Sequence, residues 1–218
     1  MIGQNSKYLG CIIMICLCYA CYDQDQKIDS EELSAVSELP FYHTPDFEPI
    51  WDVNRTDTIH KVPPFLLINQ NGDIVDNQSF YGKIYVANFF FTNCGGICPK
   101  MMRNMSYLQN HTDDKVMFIS HSVLPEQDSV SQLKTYAGNF GVEDDRWHLV
   151  TGNRTEIYDL ARKGYFAEES IGYNKDSSEF LHTEHFMLVD KEGHIRGLYN
   201  GTLQLEMDRI IDDIELLQ

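Results

Sequence analysis

Residues 84–105 read Ile84-Tyr-Val-Ala-Asn-Phe-Phe-Phe-Thr-Asn-Cys-Gly-Gly-Ile-Cys-Pro-Lys-Met-Met-Arg-Asn-Met105. The stretch 84–91 is almost continuously apolar, the pattern of a central strand covered on both faces. It runs into a Cys-x-x-x-Cys pair, Cys94 and Cys98, and Pro99 then suits the first turn of a helix reaching about Asn110. Thiols at a helix start are biased toward thiolate, because unpaired N–H groups and the helix dipole stabilise negative charge there. Thiolate is both the nucleophile of disulfide exchange and a ligand for soft metals, so the junction points to sulfur chemistry. A structural disulfide is the plainer alternative, but closing so short a loop removes little chain entropy.

Outward from this junction, strands and helices alternate. His60–Gly72 reads as a short strand and a turn at Asn71-Gly72. Val116–Val123 is a strand, Ser129–Phe140 a helix ended by Gly141, Trp147–Val150 a strand, and Thr155–Lys163 a helix stopped by Gly164. Phe186–Val189 and Ile195–Tyr199 form a hairpin, and a last helix spans about Leu203–Leu217 with Met207, Ile210, Ile211, Ile214 and Leu217 on one stripe. This order predicts an α/β domain, a central mixed sheet flanked by helices. Reactive cysteines directly after the first long buried strand fit a thioredoxin-like fold.

The chain has 218 residues and a formal net charge of −16, which excludes nucleic acid as a partner because so acidic a surface repels phosphate. Four of the six cysteines, Cys11, Cys16, Cys18 and Cys21, lie in the first 21 residues. Residues 8–21 are apolar behind Lys7 and too short for a clear membrane span, but they suit the apolar region of an export signal. Leu17-Cys-Tyr-Ala-Cys21 is similar to a bacterial lipoprotein cleavage site, with Cys18 and Tyr19 departing from its usual residues. Residues 1–21 are therefore expected to be an export signal or membrane anchor of lipoprotein type, placing the rest outside the cytoplasm. Residues 22–49, acidic and without periodicity, read as a flexible tether, and 50–218 as the folded domain.

Eight histidines are available as a third ligand beside the two thiols. His182 and His185 stand just before the strand Phe186–Val189. His43, His60, His111, His121, His148 and His194 keep the ordinary reading of polar or core residues. From the residues alone, either of the first two is open.

Phe90-Phe-Thr-Asn-Cys-Gly-Gly-Ile-Cys-Pro-Lys-Met101 closely resembles the Phe-Thr-x-Cys-x-x-x-Cys-Pro box of the Sco/SenC family. Leu181-His-Thr-Glu-His-Phe-Met-Leu-Val-Asp-Lys-Glu-Gly193 resembles its His-Thr segment, and Ile119-Ser-His-Ser-Val-Leu-Pro-Glu-Gln-Asp-Ser129 its strand and Asp-Pro-Glu-x-Asp-Thr stretch. The likeness covers about residues 45–218. Gly95 replaces a proline common in the family, and Leu124 stands where an aspartate usually precedes the proline. The resemblance implies a thioredoxin-like domain holding one copper ion, Cu(I) or Cu(II), through Cys94, Cys98 and His182, with His185 at a non-ligand position. It also implies delivery of copper to, or reduction of the cysteines of, the dinuclear copper site in cytochrome c oxidase subunit II, with a copper donor protein upstream. Some members act chiefly as thiol-disulfide oxidoreductases, so a redox-active Cys94/Cys98 pair without a physiological metal stays the alternative. An exported binding module stapled by a disulfide is the third reading. Six Asn-x-Ser/Thr sequons, at Asn54, Asn77, Asn104, Asn110, Asn153 and Asn200, read as chance beside a bacterial-type leader, and Met101, Met102 and Met105 as helix core.

Overall fold

A computed structural model describes residues 38–51, 58–167 and 183–218. The segment around the cysteines decides the architecture. Strand β5 (Tyr85–Phe90) is buried at all six positions and lies inside a nine-stranded sheet. Its neighbours are β6 (Met117–Ser122), which runs parallel to it, and β8 (His185–Val189), which runs antiparallel. The sheet continues through β7 (Trp147–Thr151), parallel to β6, to a hairpin of β3 (Leu66–Asn69) and β4 (Ile74–Asp76). On the other side, β9 (Ile195–Asn200) pairs with β8, then β1 (Phe41–Tyr42) and β2 (Pro49–Ile50) complete the order β2-β1-β9-β8-β5-β6-β7-β3-β4.

Alternating side chains of the central strands feed two cores. Val86, Phe90, Phe118, Leu149, Phe186 and Leu188 share one with three helices, α2 (Cys98–His111), α3 (Val130–Phe140) and α5 (Gln204–Leu217). Tyr85, Ala87, Phe89, Ile119, Val150 and Met187 share the other with α4 (Arg154–Asp159) and the residues after it. A short helix, α1 (Asn77–Phe80), is capped by the Asp76 carboxylate, which accepts from the N–H groups of Gln78 and Ser79. Burial on both faces explains why β5 reads as an uninterrupted apolar run. Met101, Met102, Met105, Met187 and Met207 are fully buried, so the methionines after Cys98 are core. Helix α3 begins on Ser129, whose hydroxyl accepts from the Gln132 N–H, and ends on Gly141 at φ 65°, a left-handed cap that favours glycine.

Two expectations are corrected. The folded unit begins at Glu38, not Ile50. Leu39 is buried, β1 pairs with β9, and the Arg196 guanidinium donates to the carbonyls of Leu39 and Pro40 while lying 3.9 Å from the Phe41 ring centre. Apolar residues within the acidic segment thus cover what would be an open sheet edge. The helix expected over 155–163 ends early, and Leu160–Gly164 form a π-turn in which the Tyr165 N–H reaches the Leu160 carbonyl at 3.0 Å. A Cβ on Gly164 would meet Leu160 Cδ1 at 2.8 Å and Pro63 Cδ at 2.9 Å, so tertiary contact shapes this turn. Among the described residues no helix is long and apolar enough to cross a membrane.

Candidate metal and thiol site

The two cysteines sit where β5 hands over to α2. Ile97, the residue before the helix, offers no side-chain cap, so the first-turn N–H groups need another acceptor. The Cys98 N–H finds the Cys94 sulfur, which also takes hydrogen bonds from the N–H groups of Gly96 and Ile97 just before the helix and from the Cys98 thiol. Partial burial alone would push the Cys94 thiol up, but these donors outweigh it and the net direction is down. Cys98 is 5% exposed and packs in the helix-side core. Burial, reinforced by the neighbouring Cys94 sulfur, pushes its thiol up to about 12, against a hydrogen bond from the Phe91 N–H. The pair is therefore polarised. Thiolate character is greater at Cys94 than at Cys98. Both thiols are free.

Two sulfurs in hydrogen-bond contact can converge on one soft ion, so the donor set fits copper. His182 lies outside the described residues. His185 opens β8, half-buried, and among the described residues its Nδ1 has no hydrogen-bond partner. Because β8 is antiparallel to β5, it starts at the end of the sheet where β5 delivers Cys94. The chain just before β8 is tied to the cysteine helix. The Gly201 N–H donates to the Glu184 carbonyl at 2.7 Å, and Asn104 Nδ2, on α2, donates to the Gly201 carbonyl at 2.7 Å.

Asp128 and Tyr136 lie near the thiols. Asp128, 1% exposed, accepts from Thr92 Oγ1 at 2.6 Å, the Thr92 N–H at 3.2 Å and Ser122 Oγ at 2.5 Å. Tyr136 stacks on Phe90 with ring centres 5.4 Å apart, and its buried hydroxyl has no partner among the described residues. Burial raises its pKa, and so would negative charge on Cys98, Cys94 and Asp128. Leu124 brings no carboxylate to this loop; Asp128 brings it instead. In the sequence Asp128 closes the Pro125-Glu-Gln-Asp128 stretch. A separate group, Asp190, Glu192 and His194, has ligand atoms close together, but Asp190 already pairs with Arg196 and His194, each at 3.2 Å.

The SCO1/SenC family model matches residues 53–217. The chain belongs to the SCO1/SenC family. A SCO1 homolog of Bacillus subtilis is 36% identical over 160 residues, covering 72% of this chain and 82% of that one. Among solved structures, a SCO1/SenC family lipoprotein from Bacillus anthracis superposes with a TM-score of 0.63 at 29% identity, over 72% of this chain and 95% of its own. The copper-bound ScoI of Bradyrhizobium japonicum gives a TM-score of 0.54 at 26% identity, over 68% and 98%. These relatives share the thioredoxin-like fold of this chain. The Sco family is one of cytochrome c oxidase assembly proteins.

Proposed function

We propose that this protein is an exported, membrane-tethered copper carrier for cytochrome c oxidase assembly, holding one copper ion through Cys94, Cys98 and His182. The observation that carries the reading is the pair of free, mutually hydrogen-bonded thiols at the start of α2. Thiolates suit Cu(I), and an added imidazole suits Cu(II). The position of β8 and the Glu184–Gly201–Asn104 link supports His182, since both tie the segment that follows it to the thiol end of the sheet. The leader ending at Cys21 and the B. anthracis lipoprotein support a lipid anchor, which would raise the effective concentration near a membrane-bound acceptor such as oxidase subunit II.

The polarised pair favours a second use of the same sulfurs. The Cys94 thiolate attacks one sulfur of a target disulfide, forming a mixed disulfide and expelling a target thiolate. Cys98 then loses its proton and attacks Cys94, releasing the second target thiol; two electrons pass to the target and Cys94–Cys98 is left oxidised. Copper and disulfide exclude one another, because the metal needs both thiolates. Titration of the reduced full chain with copper separates the uses. One equivalent bound with a Cu(II)–thiolate charge-transfer band supports the carrier, and its absence, with turnover of a disulfide substrate, supports the reductase. The same titration after oxidation to Cys94–Cys98 is expected to show no bound metal.

A further inference from the structure

We propose that Asp128 is a positioning residue for Cys94, acting through Thr92; this rests on the reading of Cys94 as the reactive, copper-binding sulfur. The Asp128 carboxylate is almost wholly buried, and among the described residues it forms no ion pair. A buried carboxylate without a cation is costly, so its hydrogen bonds must be what retains it. It accepts both the hydroxyl and the N–H of Thr92. That N–H belongs to the peptide unit whose other end is the Phe91 carbonyl, which accepts the Cys94 N–H at 3.3 Å. A peptide unit is planar and turns as one body. Fixing one edge of the Phe91–Thr92 unit on Asp128 therefore fixes the edge that orients Cys94. The Phe91 N–H, one residue earlier, serves the Cys98 sulfur, so both thiols hang from this short stretch.

The anchor itself is fixed. Ser122 donates to Asp128 at 2.5 Å and is the register partner of Phe90 at the end of β6, while the Asp128 N–H reaches the Leu124 carbonyl at 2.9 Å. The carboxylate thus joins the end of β6 to the turn that leaves β5, two residues before Cys94.

Thr92→Val keeps the shape and the distant charge but removes the 2.6 Å bond. In the reduced full chain it is expected to slow iodoacetamide alkylation of Cys94 at pH 7 by about three- to tenfold, because the sulfur loses its alignment with the N–H groups of Gly96, Ile97 and Cys98. Asp128→Ala should slow it likewise, although loss of a nearby negative charge would by itself speed it. Thr92→Ser should stay within about twofold of the parent, and the Thr92→Val/Asp128→Ala double variant should be no slower than the slower single, as for two ends of one interaction. In the copper-loaded protein, Thr92→Val should shift or weaken the Cu(II)–thiolate band and Thr92→Ser should restore it. If Thr92→Val lowers the thermal midpoint but leaves alkylation and the band unchanged, Asp128 is structural only and the proposal is overturned; strictly additive slowing in the double variant overturns it too. Should Asp128→Ala not fold, Thr92→Val decides alone. Parent protein that binds no copper but shows the alkylation pattern retires the copper reading and leaves this one standing.

Discussion

In the reduced protein at pH 8, iodoacetamide is expected to modify Cys94 long before Cys98. The Cys98 thiol is pushed up to about 12, while the Cys94 thiol lies below the ordinary 9.0. Even with 9.0 taken as the ceiling for Cys94, the thiolate fractions differ by about a thousandfold at that pH. The more basic thiolate is intrinsically more reactive. With a Brønsted slope of about 0.4–0.5 over three decades, Cys98 recovers about 15- to 30-fold. The net preference for Cys94 is at least about 30-fold, and the burial of Cys98 pushes the same way. Both residues fall between Lys83 and Lys100, on one tryptic peptide, so timed samples need fragment-ion mass spectrometry to place the label. Labelling should rise with pH through the Cys94 transition first. Cys98→Ala removes one of four donors to the Cys94 sulfur and should slow its labelling by less than about tenfold. Labelling of Cys98 within about threefold of Cys94 would refute the polarised pair.

His182→Ala should weaken Cu(II) binding far more than Cu(I), as judged by competition with chelators of each oxidation state, whereas His185→Ala should leave the charge-transfer band nearly unchanged. The reverse order would move the ligand three residues along the chain. His121 is fully buried, and that burial lowers its pKa from 6.5 to about 4. Its contribution to stability is thus whole above pH 6.5 and lost as pH falls toward 4, about 2–3 kcal/mol between pH 7 and 4.5. Urea unfolding at those two pH values should show His121→Phe losing correspondingly less than the parent; equal losses would rule out His121 as the source. Gly201→Ala would place a Cβ 2.4 Å from Phe186 Cε1 and 2.9 Å from the Glu184 carbonyl, so a cost of about 1–3 kcal/mol is expected as a lower urea midpoint with unchanged slope. No loss would mean the β8–β9 end relaxes freely.

What the sequence shows of this fold tracks how local each signal is. Strand β5 and helix α2 are legible because two-faced burial, a cysteine pair and Pro99 leave marks on adjacent residues. Ser129 and Gly141 bracket α3 for the same reason. Strands β1 and β2 are two residues each, too short for a period, and exist because β9 offers an edge and Arg196 reaches back to Leu39 and Pro40. The π-turn after α4 likewise depends on Pro63, about a hundred positions away in the chain. At the site, Cys94 and Cys98 declare themselves by spacing. Asp128 does not, because only the paired ends of β5 and β6 bring its carboxylate to Thr92, 36 residues distant.

The burial of the methionines has a consequence under oxidative attack. All six from Met101 onward are at most 4% exposed. Peroxide reaching the domain therefore meets the partly exposed Cys94 before any thioether, and Cys94 is also the sulfur with the greater thiolate character. Its sulfenic acid would have Cys98 beside it to condense with, yielding water and a disulfide that ordinary thiol reductants reverse. Methionine sulfoxide in the core would instead need a dedicated repair enzyme. By hiding its thioethers, the fold channels oxidative damage to a position where ordinary thiols can reverse it.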